Sequence, residues 1–300
     1  MRIILTGGTG FIGNPVLKKL IELNHEVLLL NRNTSFLNNL KINRLKVDLN
    51  NFIEKKFEII NFNPEVILHL AWQGIPDYSE EISKINYNNS INFLNFVIEN
   101  TDCKKIIVPG SCWEYNDGNF FGQCSEDIKV NPLKSFSIYK KKLFDELLNK
   151  TEQHKIIFNW ARLFYVYGPN QKKTSLIPTL IDSFLNNKEL NIESPNNKND
   201  FIFIDDVVKI LIFMIQSNIP SGVYNVGTGV ATEVTELSCI IENFFNNHCD
   251  RTRKIKRNLD KPILNFFANT DKLKKYFGSF EFESVNSGLY KTIKNYITKE

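Results

Sequence analysis

The sequence predicts an α/β protein organised around a doubly wound parallel sheet, with a smaller C-terminal α/β portion. Three observations carry that expectation. Short apolar runs alternate with longer stretches of helical periodicity, the runs are unbroken, and Gly, Asn and Pro gather in the segments between them. An unbroken apolar run fits a strand covered on both faces, as in a parallel sheet between two helix layers.

The first strand is placed over 2–6, where Arg2-Ile3-Ile4-Leu5 leads into TGGTGFIG (6–13), and an amphipathic helix over 11–24 follows at once. Strand, glycine turn and helix in that order present backbone N–H groups and a helix N-terminus to a pyrophosphate. Gly7 is expected to permit the tight turn, Gly10 to let phosphates approach the backbone, and Gly13 to bring the helix onto the strand. The pattern alone is weak. Its place between strand and helix makes it a dinucleotide-binding turn of the Rossmann type.

Further strands are expected at 26–30 (EVLLL), 45–48, 66–70 (VILHL), 105–109 (KIIVP) and 156–161, with helices over 51–60, 79–100 and 136–150. Loops are read at 109–124, 168–173 and 194–200, and loops at the carboxyl ends of such strands form the ligand crevice. The pattern loosens after about residue 165. The expected division is therefore 1–165 for dinucleotide binding, with 200–230 contributing, and 166–300 as the substrate-binding portion closing over the crevice. There is no internal repeat and no low-complexity linker.

The chain has 300 residues, 42% hydrophobic and 23% charged, enough for one large domain or two sharing an interface. Its net charge of +4 comes from scattered lysines, which gives no reason to expect a nucleic-acid partner. The dense basic stretch Arg251–Arg257 reads equally as a solvated strand edge or as a phosphate-facing segment. Five cysteines, at 103, 112, 124, 239 and 249, form no metal-ligand spacing and cannot all pair, which suits a reducing compartment. No signal peptide and no membrane-spanning apolar stretch is read, so a cytoplasmic protein without a membrane partner or a metal is expected.

The second strand ends in Leu30, and Asn31-Arg32-Asn33 follows where an acid would hold the ribose hydroxyls of NAD. Asn31 removes the charge that would repel a 2′-phosphate and Arg32 offers it a planar donor fork, so NADP(H) is favoured and NAD(H) remains possible. Arg32 as a plain loop residue is the alternative. Asp48 is placed to meet the adenine amino group, or else serves a turn.

These stretches, taken with later ones, resemble the extended short-chain dehydrogenase/reductase family of nucleotide-diphosphate-sugar epimerases, dehydratases and 4-ketoreductases. The resemblance runs through TGGTGFIG, HLAW (69–72), Asn86 in the helix that follows, Gly110-Ser111-Cys112-Trp113-Glu114-Tyr115, RLFYVYGPNQ (162–171), DFIFIDDV (200–207) and GVYNVGTG (222–229). It fades beyond about 230, through FANTDKLKKYFG (267–278). It implies a cofactor set of Gly7, Gly10, Phe11, Ile12 and Gly13 in the turn, then Asn31, Arg32, Asp48 and Leu49. Leu70, Ala71 and Lys140 complete it. Trp113, Tyr115 and Arg257 would face the sugar or the diphosphate, with Trp113 and Tyr115 read equally as core aromatics. Asn199 stands where the family usually has an arginine, so one phosphate contact is missing.

In such enzymes a serine or threonine holds the reacting oxygen, a tyrosine moves its proton, and a lysine one turn later binds the nicotinamide ribose and lowers the tyrosine's pKa. A nearby cation favours the ionised phenol, and a spacing of four puts both side chains on one helix face. Ser111 matches the serine and Lys140 the lysine, but the tyrosine position holds Phe136. Three readings stand open. Tyr139 could move the proton, with Lys140 or Lys142 as its cation. Tyr115, Glu114, Cys112 or a water could supply it. Or the protein binds cofactor without turning over a sugar.

The family's 4,6-dehydratases carry an acidic pair directly after the serine-equivalent residue, where this chain has Cys112 and Trp113, so dehydration is disfavoured. GSCWEY followed by Gly122-Gln-Cys124-Ser-Glu126 resembles reductases of 4-keto-6-deoxy or dideoxy nucleotide sugars. Hydride transfer at C4 of a nucleotide-diphosphate hexose is the expectation, with Ser111, Tyr139 and Lys140 as the catalytic set. A 4-epimerase with tightly bound NAD, and a non-catalytic dinucleotide sensor, are the alternatives. The resemblance also implies a homodimer through helices 79–100 and 136–150, the first carrying Ile82, Ile85, Ile91, Phe93 and Phe96.

Overall fold

The computed structural model describes residues 1–33, 42–115, 121–246, 248–255, 263–278 and 280–298. The chain divides into two compact units, one of Met1–Asp117, Val130–Arg162 and Val208–Tyr224, the other of Gly118–Lys129, Leu163–Val207 and Asn225–Glu300.

The larger sheet is built from β1 (Arg2–Thr6), β2 (Glu26–Asn31), β3 (Asn43–Lys46), β4 (Val66–His69), β5 (Lys105–Ser111), β7 (Ile157–Leu163) and β10 (Gly222–Val226). Their order is β10-β7-β5-β4-β1-β2-β3. β1 pairs in parallel with both β2 and β4, β2 with β3, and β4 with β5. Strand order therefore reverses between β1 and β4, the switch point at which α/β sheets bind ligands beyond their carboxyl ends. The expected strands recur with shifted ends. β3 begins two residues early because it is the edge strand: Leu45 and Val47 are buried and their neighbours are not, so only one face is covered.

Helices α1 (Gly13–Glu22), α2 (Lys56–Phe62), α3 (Glu80–Asn100) and α4 (Ser135–Gln153) belong to the same unit. α1 buries Gly13, Val16, Leu17 and Leu20, a one-faced stripe of the 3.6-residue period. Ser79 caps α3 by accepting from the Ile82 N–H, with Glu80 and Glu81 in the first turn where the helix dipole favours acids. Ile91 and Phe93 of α3 lie inside the unit's own core with Leu94 and Val97, while Ile85 stays exposed. Most of the apolar surface counted toward a dimer is thus used internally. α4 buries Phe136, Lys140, Leu143, Leu147 and Thr151 at helical spacing. Tyr139 lies off that stripe and packs on Tyr87 of α3, ring centroids 5.7 Å apart.

The second unit holds a smaller sheet: β6 (Phe121–Cys124), β8 (Tyr165–Tyr167), β9 (Lys198–Phe203), β11 (Ala231–Glu233) and β12 (Asn265–Ala268). The path is β11-β9-β12-β6, with β8 on β9. Buried Asp200 anchors it by accepting from the Thr228 N–H and Oγ1 (2.7 and 2.6 Å), the Gly229 N–H (2.9 Å) and the Ala268 N–H (3.1 Å). Burial raises its carboxyl above the ordinary value, and the four donors oppose that. Cys239 of the helix Val234–Asn246 is joined to Cys249 by a disulfide, Cα atoms 5.1 Å apart, whereas Cys103, Cys112 and Cys124 are buried and outside any disulfide. The expectation of a reducing compartment did not foresee this pair, whose separation of 10 positions carries no sequence signature.

Candidate active site

A crevice opens at the carboxyl ends of β1 and β4, within the first unit. Gly7, Gly10, Asn31, Arg32, Asp48, Leu49, Leu70 and Ala71 line it, joined by Trp72, Gln73, Asn86 and Ser90. Eight of the expected cofactor residues therefore meet in one place, while Phe11, Ile12 and Gly13 belong to the turn and helix start beside them. Gly7 takes φ +70°, and a Cβ on Gly13 would fall 2.1 Å from the Gly7 carbonyl oxygen. α1 has no side-chain cap and no acid in its first turn; the Asn14 N–H donates to the Gly10 carbonyl (2.9 Å) and Pro15 has no N–H, so it is the positive end of the helix dipole, free of acids, that faces an anion here. The tight glycine turn and the acid-free helix end suit a dinucleotide pyrophosphate.

The floor of the crevice is pinned by a neutral hydrogen-bond chain that the sequence did not disclose. Thr6 and His69 are register partners across β1 and β4. The Ala71 N–H donates to Thr6 Oγ1 (3.1 Å), which lies 3.0 Å from His69 Nδ1, and His69 Nε2 lies 2.9 Å from Ser90 Oγ. Ser90 Oγ donates in turn to the Asn86 carbonyl (2.7 Å). One tautomer satisfies every member: Thr6 donates to Nδ1 and Nε2–H donates to Ser90. Burial, aided by the Lys140 charge, pushes His69 down to about 3, so it stays neutral. Asn86 accepts from the Gln73 N–H (2.7 Å) and donates to the Gln73 and Ile82 carbonyls, fixing the loop after β4.

At the rim, Asn31 accepts from Thr9 Oγ1 and donates to the Asn33 carbonyl, and Arg32 donates to Gln73 Oε1 at 3.0 Å. Asp48 lines the crevice and also closes a turn by accepting from the Asn50 N–H at 3.1 Å.

Ser111 ends β5 and caps the short turn Cys112–Glu114, accepting from the Trp113 N–H at 3.2 Å while its own N–H donates to Glu114 Oε1 at 2.8 Å. Glu114 is fully buried and also accepts from Trp160 Nε1 (3.0 Å) and from Arg162 (2.9 and 3.0 Å). The Arg162 guanidinium lies over the Tyr115 ring at 4.4 Å, and Tyr115 is itself buried. Glu114 and Tyr115 thus form the support under the serine turn rather than its open side. Burial works against the Arg162 charge, but Glu114 and Tyr115 outweigh it and raise its pKa.

Lys140 is 6% exposed. Its Nζ donates to the Pro109 carbonyl (2.9 Å) and sits 3.9 Å from the centre of the Trp72 ring, a cation–π contact. Burial pushes the ammonium down to about 7, partly opposed by Glu114. Phe136, one turn earlier, meets three aromatic rings: Tyr78 at 5.1 Å, Trp72 at 5.7 Å and Trp113 at 6.5 Å. Among the expected substrate residues Trp113 belongs to this aromatic group and Tyr115 does not, while Arg257 lies outside the described residues. Sequence reasoning missed Tyr78 and Trp72. HLAW gave a signal for Trp72; nothing marked Tyr78.

The family profile described as the NAD dependent epimerase/dehydratase family matches residues 3–227. The chain is 26% identical over 298 residues to CDP-abequose synthase of Yersinia pseudotuberculosis, covering 93% of this chain and 99% of that protein. It is 30% identical over 256 residues to a putative UDP-glucose 4-epimerase of Methanocaldococcus jannaschii, covering 80% of this chain and 81% of that one. Its fold resembles that of the UDP-glucose 4-epimerase of Thermotoga maritima, with a TM-score of 0.82, 21% identity, and coverage of 100% and 99% of the two chains. With the glycine turn and the switch-point crevice already in place, the profile match over residues 3–227, three-quarters of the chain, shows that this chain belongs to the NAD dependent epimerase/dehydratase family.

Proposed function

We propose that this chain reduces a nucleotide-linked 4-keto-(deoxy)hexose at C4 with NADP(H), with NAD(H) as the weaker cofactor. When bound, the dinucleotide supplies the hydride. Gly7, Gly10 and the N-terminal end of α1 hold its pyrophosphate, Asn31 and Arg32 its adenosine ribose, and Lys140 its nicotinamide ribose. Ser111 Oγ holds the sugar's C4 oxygen. The observation that carries the reading is the composition of the serine turn. It offers a hydroxyl beside Cys112 and Trp113, with its only acid, Glu114, buried and tied to Arg162. Such a turn can orient a carbonyl for hydride transfer, but it has no free carboxyl for the proton shuffling that water elimination needs. Similarity to a CDP-abequose synthase supports a nucleotide-linked sugar as substrate.

A second reading, 4-epimerisation with tightly held NAD, is favoured by the 30% identity to a putative UDP-glucose 4-epimerase. The two separate in one experiment: absorbance spectra of the purified protein, then turnover with NADPH against a panel of nucleotide sugars. Consumption of NADPH by 4-keto sugars is the expected result. Retained NAD with interconversion of C4 epimers would replace the reductase by the epimerase. Retained dinucleotide with no sugar binding would leave a sensor.

We also propose a homodimer through α3 and α4, where Ile85 and Ile138 are exposed. Light scattering tests it, and a monomer would end it.

A further inference from the structure

Phe136 removes the phenol from its expected place, but the structure puts another phenol against it. Tyr78 lies on the loop before α3, its ring centroid 5.1 Å from Phe136 and 5.3 Å from Trp113, which follows Ser111 by two residues. The loop that carries it is built rather than loose. The Asp77 N–H donates to the Gly74 carbonyl (2.9 Å), Asp77 Oδ1 accepts from the Ser79 N–H (2.9 Å), and Ser79 caps α3. Tyr78 is 37% exposed, so a ligand and water both reach it.

We propose that Tyr78 is the proton donor of the reaction, supplying from the α3 loop the phenol that α4 lacks at Phe136. This rests on the C4-reductase reading above. In the step, the C4=O π bond breaks as the hydride joins the carbon. The Tyr78 hydroxyl proton passes to the oxygen held by Ser111, and the tyrosinate regains a proton from water. Two electrons leave the reduced nicotinamide with the hydride, so atoms and charge balance. Partial burial, and secondarily the nearby Cys112, raise the Tyr78 phenol above its ordinary value. It therefore keeps its proton at neutral pH, which suits a donor to a forming alkoxide better than a base for the reverse oxidation.

The test uses the full chain with NADPH and Tyr78→Phe, a change that removes one oxygen from a half-exposed ring. Dinucleotide affinity should stay within about threefold, which also reports that the variant is folded. Single-turnover reduction of a 4-keto nucleotide sugar should fall about 100-fold or more. A binding readout stands apart from turnover. The wild type should bind a 4-hydroxy nucleotide sugar about tenfold tighter than its 4-deoxy analogue, and Tyr78→Phe should narrow that difference to about threefold, the share Ser111 keeps. Adding Phe136→Tyr to Tyr78→Phe should recover at least about tenfold of the lost rate. A wild type that reduces the sugar while Tyr78→Phe keeps both its rate and its discrimination overturns the proposal alone. A wild type that holds dinucleotide but neither binds nor reduces any nucleotide sugar sinks the reductase reading, and the proposal with it.

Discussion

Among the basic side chains buried in the first unit, His69 under the glycine turn and Lys140 beside the serine turn are held in opposite ways. His69 has both ring nitrogens paired to hydroxyls that are themselves paired onward, and burial keeps it neutral down to about pH 3. Lys140 has three N–H donors, spends one on the Pro109 carbonyl, rests on the Trp72 ring, and is brought to about 7. A closed network is a fixture. A cation with donors to spare and a pKa near neutrality is poised for a ligand, here the ribose hydroxyls that Lys140 is proposed to hold.

The comparison predicts where substitutions will hurt chemistry and where they will hurt the scaffold. The largest effect is expected at the serine turn: Ser111→Ala should lower kcat about 100- to 1,000-fold with dinucleotide affinity intact. If kcat holds, the lysine end is not the catalytic end. Next, Gly13→Val would drive a side chain into the Gly7 carbonyl, and NADPH affinity should drop about 100-fold by fluorescence titration. Unchanged affinity would remove the turn from the cofactor site.

The two bases should also separate by pH, read as unfolding free energy of dinucleotide-free protein. Both have folded pKa values below their unfolded ones, so each takes up protons more readily when unfolded, and each contribution is lost as pH falls. For His69 the loss runs from about 6.5 toward about 3. For Lys140 it runs from about 10.5 to about 7, with a slope of up to about 1.4 kcal/mol per pH unit. Lys140→Met should flatten the alkaline limb and shift the acid limb only slightly, since burial is the larger cause at His69; the reverse pattern would contradict the assignment. His69→Gln should cost about 1–3 kcal/mol at neutral pH by unpairing Thr6 or Ser90. The smallest effect is expected at the rim, where Arg32→Ala should cut NADPH affinity about fivefold more than NADH affinity. Equal losses would favour NAD.

Legibility followed how far each feature depends on neighbours in sequence. The glycine turn, the β1–α1 unit and the β4–α3 connection could be read because backbone geometry restricts which residues fit, and those restrictions lie within a few positions. The second sheet was harder, since its path β11-β9-β12-β6 joins segments far apart in the chain. At the site, Ser111, Lys140 and the anomaly at Phe136 were visible by spacing. Tyr139 was not resolvable that way: three residues from Phe136 suggests a shared face, but the buried stripe of α4 steps from 136 to 140, which leaves 139 toward Tyr87.

What the amino-acid order determined alone was the local hardware: apolar runs that must be buried on both faces, a turn that only glycine can make, and a hydroxyl and an ammonium at fixed offsets. Tertiary structure decided which polar groups are satisfied. Folding tied Glu114 to Arg162, closed the His69 chain on Thr6 and Ser90, and brought Tyr78 onto Phe136 from 58 positions away. Satisfaction is a property of space rather than of spacing, because a buried donor needs a partner within hydrogen-bond reach wherever along the chain that partner sits.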